Sequence, residues 1–519
     1  MTQTSGPEAS LAGRHVLVVG LGITGQSVTA LLARHGATVT AVDSRDDTER
    51  QDLAAKLAAD GVSVRLGSVQ IGPDASIDDD TELVVTSPGL RPDTPVLATA
   101  AATGIEVIGD VELAWRLRPT LPDGSRQQWL AVTGTNGKTT TVRMLAAMLA
   151  AGGHRSVAAG NVGTPILDVV TDPEPFGVVA VELSSFQLYW SSTIRPLAAV
   201  VLNLAAHHLD WHDDIESYAA AKARIFAPGT IAICNADDPR SAEMAATALA
   251  AGQASRKVAF RLSEPGDGEL GVADGWLVDC AFGTSMTPVR LGTRGSENTG
   301  ARMTPVRLGT RGSANTGARM TPVRLAPVSS VQPPAPHNVA DALAAAALAR
   351  AYGDPPSAIE AGLAEFKPEP HRISLVAELD GVAYIDDSKA SNPAAAAASL
   401  AAFPSVVWVA GGLFRGSDAD LDALVATAAS RLRAAVLIGT DRARFSRALA
   451  RHAPDVPVFE LDSTDTGVMD QAVAHAAEVA LRGDTVLLAP AAQSWDMFRD
   501  YPARGDAFAA AVVRLADTR

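Results

Sequence analysis

Trp129-Leu-Ala-Val-Thr-Gly-Thr-Asn-Gly-Lys-Thr-Thr-Thr141 decides how the rest of the chain is read. Its apolar opening, Leu130, Ala131 and Val132, has the character of a buried strand. The chain then turns through Gly134 and Gly137, and after Lys138 the residues Val142, Leu145, Ala146 and Leu149 fall at helical spacing. Strand, glycine turn and helix in that order make a phosphate cradle. Glycines let backbone N–H groups approach the oxygens, and the helix N-terminus adds its positive end. Gly134, Thr135, Asn136, Gly137, Lys138, Thr139 and Thr140 are the candidate ATP-binding residues. Lys138 reaches for the outer phosphates, and the Thr139 hydroxyl is a candidate Mg²⁺ ligand. Val132 stands where the usual phosphate-loop pattern has its first glycine, so this is a variant loop. Of the 43 basic residues only 6 are lysines, so a lysine in the loop points to a need for a compact ammonium.

Working outward, 519 residues suggest about three domains. A content of 47% apolar and 19% charged residues supplies ample core material. A net charge of −15 argues against a general nucleic-acid binder. Two cysteines, Cys234 and Cys280, suit a reducing compartment better than a disulfide framework. With no signal-peptide pattern and no apolar run of about 18 residues, a soluble cytoplasmic protein without a membrane span is expected.

Residues 1–124 read as a first α/β domain, with strands over 15–20, 38–43, 62–67 and 83–89. Gly20-Leu-Gly22-Ile-Thr-Gly25 follows the first strand and precedes a helix, and Asp43 ends the next strand. Taken alone, this fingerprint suggests NAD, or any ligand with a pyrophosphate and a ribose, UDP-sugars included. Pro119, Pro122 and Gly124 mark a linker. In the second domain, 125–369, strands are expected over 177–183 and 198–204. Glu182 closes the first of these, and His208 and Asp210 follow the second. Ligands gather at the carboxyl ends of parallel strands, so Glu182 and His208 are candidates to complete the Mg²⁺ coordination begun by Thr139. Within this domain MTPVRLGTRGSENTGAR (286–302) recurs at 303–319 with Glu297 replaced by Ala314, and a third, truncated copy spans 320–325. So polar and glycine-rich a repeat reads as a disordered surface loop over 286–325. The third domain, 370–519, returns to alternation, with strands over 382–388, 406–412, 434–440, 456–462 and 485–490. The architecture expected is three α/β domains in a row: Rossmann-like, a phosphate-loop parallel sheet, and Rossmann-like again.

With these pieces in place the chain resembles the Mur ligases, the ATP-dependent amino-acid ligases of peptidoglycan synthesis. The loop 134–139 is shared by that whole superfamily. Ser87-Pro-Gly89, Glu182-Leu-Ser-Ser-Phe-Gln-Leu188, Asp387-Ser-Lys-Ala-Ser-Asn392 and Ala489-Pro-Ala-Ala-Gln-Ser-Trp-Asp-Met-Phe498 look like its D-glutamate-adding branch. The resemblance implies two substrates beside ATP and Mg²⁺: UDP-N-acetylmuramoyl-L-alanine and D-glutamate. It implies that Gly22, Ile23, Thr24, Asp43, Ser44, Arg45 and Ser87 hold the UDP part, and that Asn161 touches the muramoyl-alanine arm. By the same resemblance Asn338 faces adenine, Arg372 lies near the nucleotide, and Lys389, Ser494 and Phe498 form the D-glutamate pocket. Lys138, Lys222, His208 and Glu182 are the catalytic set, and Lys222 matches the lysine that the family carbamylates to add a metal ligand. A monomer is expected. Two positions depart from the family pattern. His207 stands where an acidic residue is usual, and Leu413-Phe-Arg415 follows Gly412 where an acidic ribose contact is frequent. A folate-adding ligase of the same superfamily needs no UDP site, and an NAD(P)-dependent oxidoreductase leaves the loop 134–139 unused.

Overall fold

The computed structural model describes residues 11–283, 321–462 and 465–518, which form three separate sheets. The first has five parallel strands in the order Ser63–Leu66, Thr38–Asp43, His15–Val19, Leu83–Thr86 and Glu106–Gly109. Val16 to Val19 are all at most 3% exposed, the continuous apolar run of a strand covered on both faces. The strand Glu106–Gly109 was not anticipated, because a four-residue segment opening on a glutamate carries no clear period.

The second sheet has nine strands, and its centre sets the site. Gln128–Thr133 lies between Val178–Glu182 and Ala198–Val201, all parallel. Side chains alternate across this centre. Leu130, Val132, Val178, Ala180, Ala198 and Val200 pack with the helices Lys138–Ala151 and Pro336–Tyr352. Trp129, Ala131, Val179, Val181, Ala199 and Val201 join the opposite core, as the strand period of two requires. Val132 is fully buried and paired with both Glu182 and Val200. At that position the chain is still strand, so it makes no turn there that would call for a glycine. Toward one edge the sheet turns antiparallel through Glu269–Ala273, Trp276–Asp279 and Val323–Pro327, an extension that sequence reading missed.

This extension corrects part of the repeat reading. Residues 284–320 lie outside the described residues, but the end of the truncated third copy does not. Val323–Pro327 is a paired strand with Leu325 at 2% exposure, so this end of the segment is core rather than loop. The third sheet has six strands, with the expected five parallel ones joined by an antiparallel edge strand, Ser374–Leu379. Its central members Val382–Asp386, Thr485–Leu488 and Val406–Gly411 deliver Asp387 to Lys389, the 489–498 segment and Gly412 to one edge. Among the described residues, no helix is long and apolar enough to cross a membrane.

Candidate active site

A cleft of about 730 Å³ lies between the carboxyl edge of the central sheet and the third sheet. The topology creates it, because the residues that follow three adjacent parallel strands must emerge side by side. They are the glycine loop after Thr133, Glu182 itself, and Asn203 to His207 after Val201. Thr135, Asn136, Gly137, Lys138, Thr139, Thr140, Asn161, Glu182, Asn338, Arg372 and Lys389 all line it. Sequence expectation and geometry meet in that group.

The loop is held in shape from below. Gly137 has φ 82°, and a Cβ there would stand 2.3 Å from Asp341 Oδ1, so only glycine fits. Asn203 Oδ1 accepts the Thr135 and Asn136 backbone N–H groups at 3.1 and 2.9 Å, and its Nδ2 donates to Asn136 O at 3.2 Å. Lys138 Nζ donates to Gly134 O and Thr135 O at 3.1 and 2.9 Å, and burial lowers its pKa. Lys222, 1% exposed, donates to the same Gly134 oxygen at 2.8 Å. Burial and then Lys138 hold its pKa well below the ordinary value. Two lysine side chains thus meet one carbonyl beside the loop that would take anionic phosphates.

For a divalent ion, the Thr139 hydroxyl donates to Glu182 Oε2 at 2.9 Å, and Asn161 Nδ2 donates to Glu182 Oε1 at 2.9 Å. Hydroxyl and carboxylate are hard oxygen donors that suit Mg²⁺ once phosphate oxygens join them. Among the described residues, no group of three His, Cys, Asp or Glu side chains is arranged to hold a metal by itself. His208 does not join Glu182 on the cleft wall. It is exposed at φ 56° and lies tilted against Phe186, with ring centroids 4.9 Å apart and the planes at 58°. Its neighbour His207 lines the cleft instead, kept neutral by burial that drops its pKa to about 3.

Lys389 comes from the third sheet, with Nζ 4.0 Å from the centre of the Tyr501 ring. Tyr501 and Gln493 line the cleft. Ser494 and Phe498 do not; Ser494 is 3% exposed, and Phe498 packs in the core of the third sheet at 5%. Asn392 caps the helix Pro393–Ala401 through Oδ1, which accepts from Ala395 N at 3.0 Å. Its Nδ2 donates to Asn136 Oδ1 at 3.2 Å, so the third sheet touches the phosphate loop directly. The departure at Leu413 is occupied structurally: Leu413 bridges to Gln493, and Phe414 is buried against Phe445.

The residues expected to hold UDP form a separate group on the first sheet. A Cβ on Gly25 would lie 1.8 Å from Gly20 O, so the third glycine permits close helix–strand packing. Asp43 accepts from Leu21 N at 2.6 Å and Arg45 N at 2.9 Å, and its carboxylate therefore shapes the turn. Ser87 Oγ donates to Gly20 O at 3.2 Å, while Gly22, Ile23, Thr24, Ser44 and Arg45 remain accessible around it.

Sequence reasoning passed over Asn203, Asp341, Asn392 and Tyr501 as site residues. Asp341 lies one helical turn beyond Asn338, on a spacing that could have revealed it. Tyr501 carried no such signal, because its place beside Lys389 depends on the fold.

Comparisons with known proteins agree with this layout. Residues 14–109 match the Mur ligase MurD-like N-terminal domain, residues 132–267 the Mur ligase middle domain, and residues 371–492 the Mur ligase glutamate ligase domain. The chain is 52% identical to the UDP-N-acetylmuramoylalanine–D-glutamate ligase of Thermobifida fusca, over 98% of this chain and 99% of that one. It is 48% identical to the protein of the same name from Streptomyces coelicolor, again over 98% and 99%. Among solved structures, the UDP-N-acetylmuramate-alanine ligase MurC of Thermotoga maritima shares the fold at a TM-score of 0.51 and 18% identity, covering 97% of this chain and 100% of that one. A pseudomurein peptide ligase type C from Methanothermus fervidus does so at 0.52 and 17%, covering 96% and 100%. A phosphate loop facing a lysine-bearing third sheet, three matching family models and near full-length relatives at about half identity carry one conclusion: the chain belongs to the Mur ligase family.

Proposed function

We propose that this protein joins D-glutamate to UDP-N-acetylmuramoyl-L-alanine at the expense of ATP, with Mg²⁺ as the metal, in cytoplasmic peptidoglycan precursor synthesis. The observation that carries the reading is the meeting of Lys138, Thr139 and Glu182 with Arg372, Lys389 and Tyr501 around one cleft. An amide does not form from a carboxylate and an ammonium in neutral water, because hydroxide is a poor leaving group. The L-alanine carboxylate therefore attacks the γ-phosphorus of ATP, releasing ADP and leaving an acyl phosphate. The D-glutamate nitrogen, having lost a proton, attacks the acyl carbon, and phosphate departs.

Each part of the cleft has a task in this scheme. Lys138 and the backbone N–H groups of the loop hold the phosphates as charge moves between them. Thr139 and Glu182 hold Mg²⁺, which supplies further charge neutralisation when bound. Asn338 and Arg372 take the adenosine side, and Asn161 the muramoyl-alanine arm. Lys389 pairs with a carboxylate of D-glutamate, and Tyr501 takes the aromatic place that sequence gave to Phe498. Lys222 becomes carbamylated. Only a neutral amine reacts with CO₂, and its depressed pKa and burial supply that form. The first sheet with its glycine turn takes the UDP, and the enzyme acts as a monomer.

The test is ADP release from ATP with UDP-N-acetylmuramoyl-L-alanine, with and without D-glutamate. Sustained release only when all three substrates are present is expected. Release that ignores D-glutamate, or requires another amino acid, overturns the assignment.

A further inference from the structure

We propose that Arg91 and Trp211 are positioning residues that fix the span between the UDP site and the reaction cleft, so that the enzyme measures the length of its substrate's peptide arm. The inference rests on the function proposed above. Neither residue lines the cleft or belongs to the glycine turn. They join the two.

The loop after the strand Leu83–Thr86 is held to the central segment at three consecutive residues. Gly89 O accepts from Trp211 Nε1 at 3.0 Å, and Leu90 O accepts from Trp190 Nε1 at 3.3 Å. Arg91 Nη1 donates to the main-chain oxygens of Asp210 and Trp211, the latter at 3.2 Å, and Nη2 pairs with Asp213 at 3.2 Å. The Arg91–Asp213 pair is exposed and contributes little by itself. The bonds to two successive carbonyls are different, because a planar guanidinium reads their direction as well as their charge.

At one end this loop begins with Ser87, whose hydroxyl donates to Gly20 O in the glycine turn. At the other end Trp211 and Asp213 belong to the turn that carries His207 into the cleft. His208 and Asp213 in that turn have φ 56° and 67°, backbone conformations that residues other than glycine rarely adopt and that persist only where the surroundings impose them. Trp211 supplies such surroundings. It is 9% exposed, with its ring 4.9 Å from Phe186, 5.2 Å from Tyr189 and 4.4 Å from His212.

A substrate anchored by its diphosphate at the glycine turn must place a carboxylate beside Lys138. With both loops locked, that distance is set by protein and not by the ligand. A UDP-linked amino sugar bearing one amino acid reaches; one lacking the amino acid falls short by a residue. Misplacement of reacting groups by about 1 Å can cost about 100-fold in rate, so a fixed span discriminates strongly.

Two variants test this. Trp211→Phe keeps an aromatic ring and removes the N–H that holds Gly89, and Arg91→Ala removes the guanidinium. Calorimetry measures affinity for UDP, for UDP-N-acetylmuramate and for UDP-N-acetylmuramoyl-L-alanine. In both variants the preference for the alanyl ligand over the ligand without alanine should fall by about 5- to 10-fold, the scale set by losing a hydrogen bond that holds the loop. UDP affinity and the KM for ATP should stay within about twofold. An unchanged preference overturns the proposal, and so does a fall in UDP affinity of equal size, which would make the loop a support for the nucleotide alone. If Arg91→Ala does not fold, Trp211→Phe decides by the same measurements. Because binding is read without turnover, failure of the ligase assignment would show separately, in the ADP assay.

Discussion

Asn203→Ala should weaken nucleotide binding by about 30-fold while leaving the UDP-linked substrate untouched. The Asn203 side chain accepts two loop N–H groups and donates once to the loop. Truncation does not strand both donors equally. Thr135 N also reaches the main-chain oxygen of Asn203 at 3.1 Å, a bond the substitution keeps. The Asn136 N–H is left without its acceptor, and Asn136 O loses a donor. One stranded N–H at about 1–2 kcal/mol and one lost neutral bond at about 0.5 kcal/mol total about 2 kcal/mol, which is about 30-fold in affinity. The loop reaches solvent, so water prevents a larger loss. Calorimetric titration with a non-hydrolysable ATP analogue measures the effect, with UDP-N-acetylmuramoyl-L-alanine as the internal control. Nucleotide affinity within about twofold of the parent would refute the claim that this side chain shapes the loop.

Three further outcomes follow from other parts of the site. Burial raises the Asp341 carboxyl to about 8 from an ordinary 3.8, so the folded chain holds a proton that the unfolded chain releases near pH 4. Stability from this group is complete below about pH 4 and is lost as pH rises toward 8, at about 1.4 kcal/mol per pH unit. Asp341→Asn should remove that slope, so its urea midpoint should gain on the parent from pH 5 to pH 7; parallel profiles would count against it. Asn392→Ser keeps a helix cap but cannot reach Asn136. The apparent KM for D-glutamate should rise about fivefold with the melting temperature unchanged, and an unaltered KM would show that the contact is incidental. Tyr501→Ala should raise the KM for D-glutamate with little loss of stability, whereas Phe498→Ala, opening a cavity in a closed core, should cost about 3–5 kcal/mol of stability. The reverse pattern, read by denaturation and steady-state kinetics, would restore Phe498 as the contact residue.

The sequence by itself determined what depends on neighbours along the chain. A run of apolar residues, a glycine turn and a helical period along one continuous stretch, Leu130 to Leu149, specify the phosphate loop, since strand, turn and helix are each read from neighbouring residues; the Asn203 and Asp341 side chains that brace it come from elsewhere in the chain. The parallel-strand patterns located Glu182 for the same reason: a strand's carboxyl end can be read from where its apolar run stops. Strands of weak period, such as Glu106–Gly109 and Ser374–Leu379, were not legible, because their pairing is decided by a sheet already formed. The same holds for Val323–Pro327, a strand within a segment whose composition alone suggests a loop. Only the tertiary structure decided which side chains meet across the cleft. Tyr501 lies beside Lys389, 112 residues earlier in the chain, because Val382–Asp386 and Thr485–Leu488 are neighbours in one sheet. Phe498 is in the core because its side chain leaves the same turn on the apolar side. His207 faces the cleft in place of His208 because His208, itself left-handed at φ 56°, turns the chain away into the helix Leu209–His212. Sequence spacing names the residues of a motif; backbone direction and strand order decide which of them face the substrate.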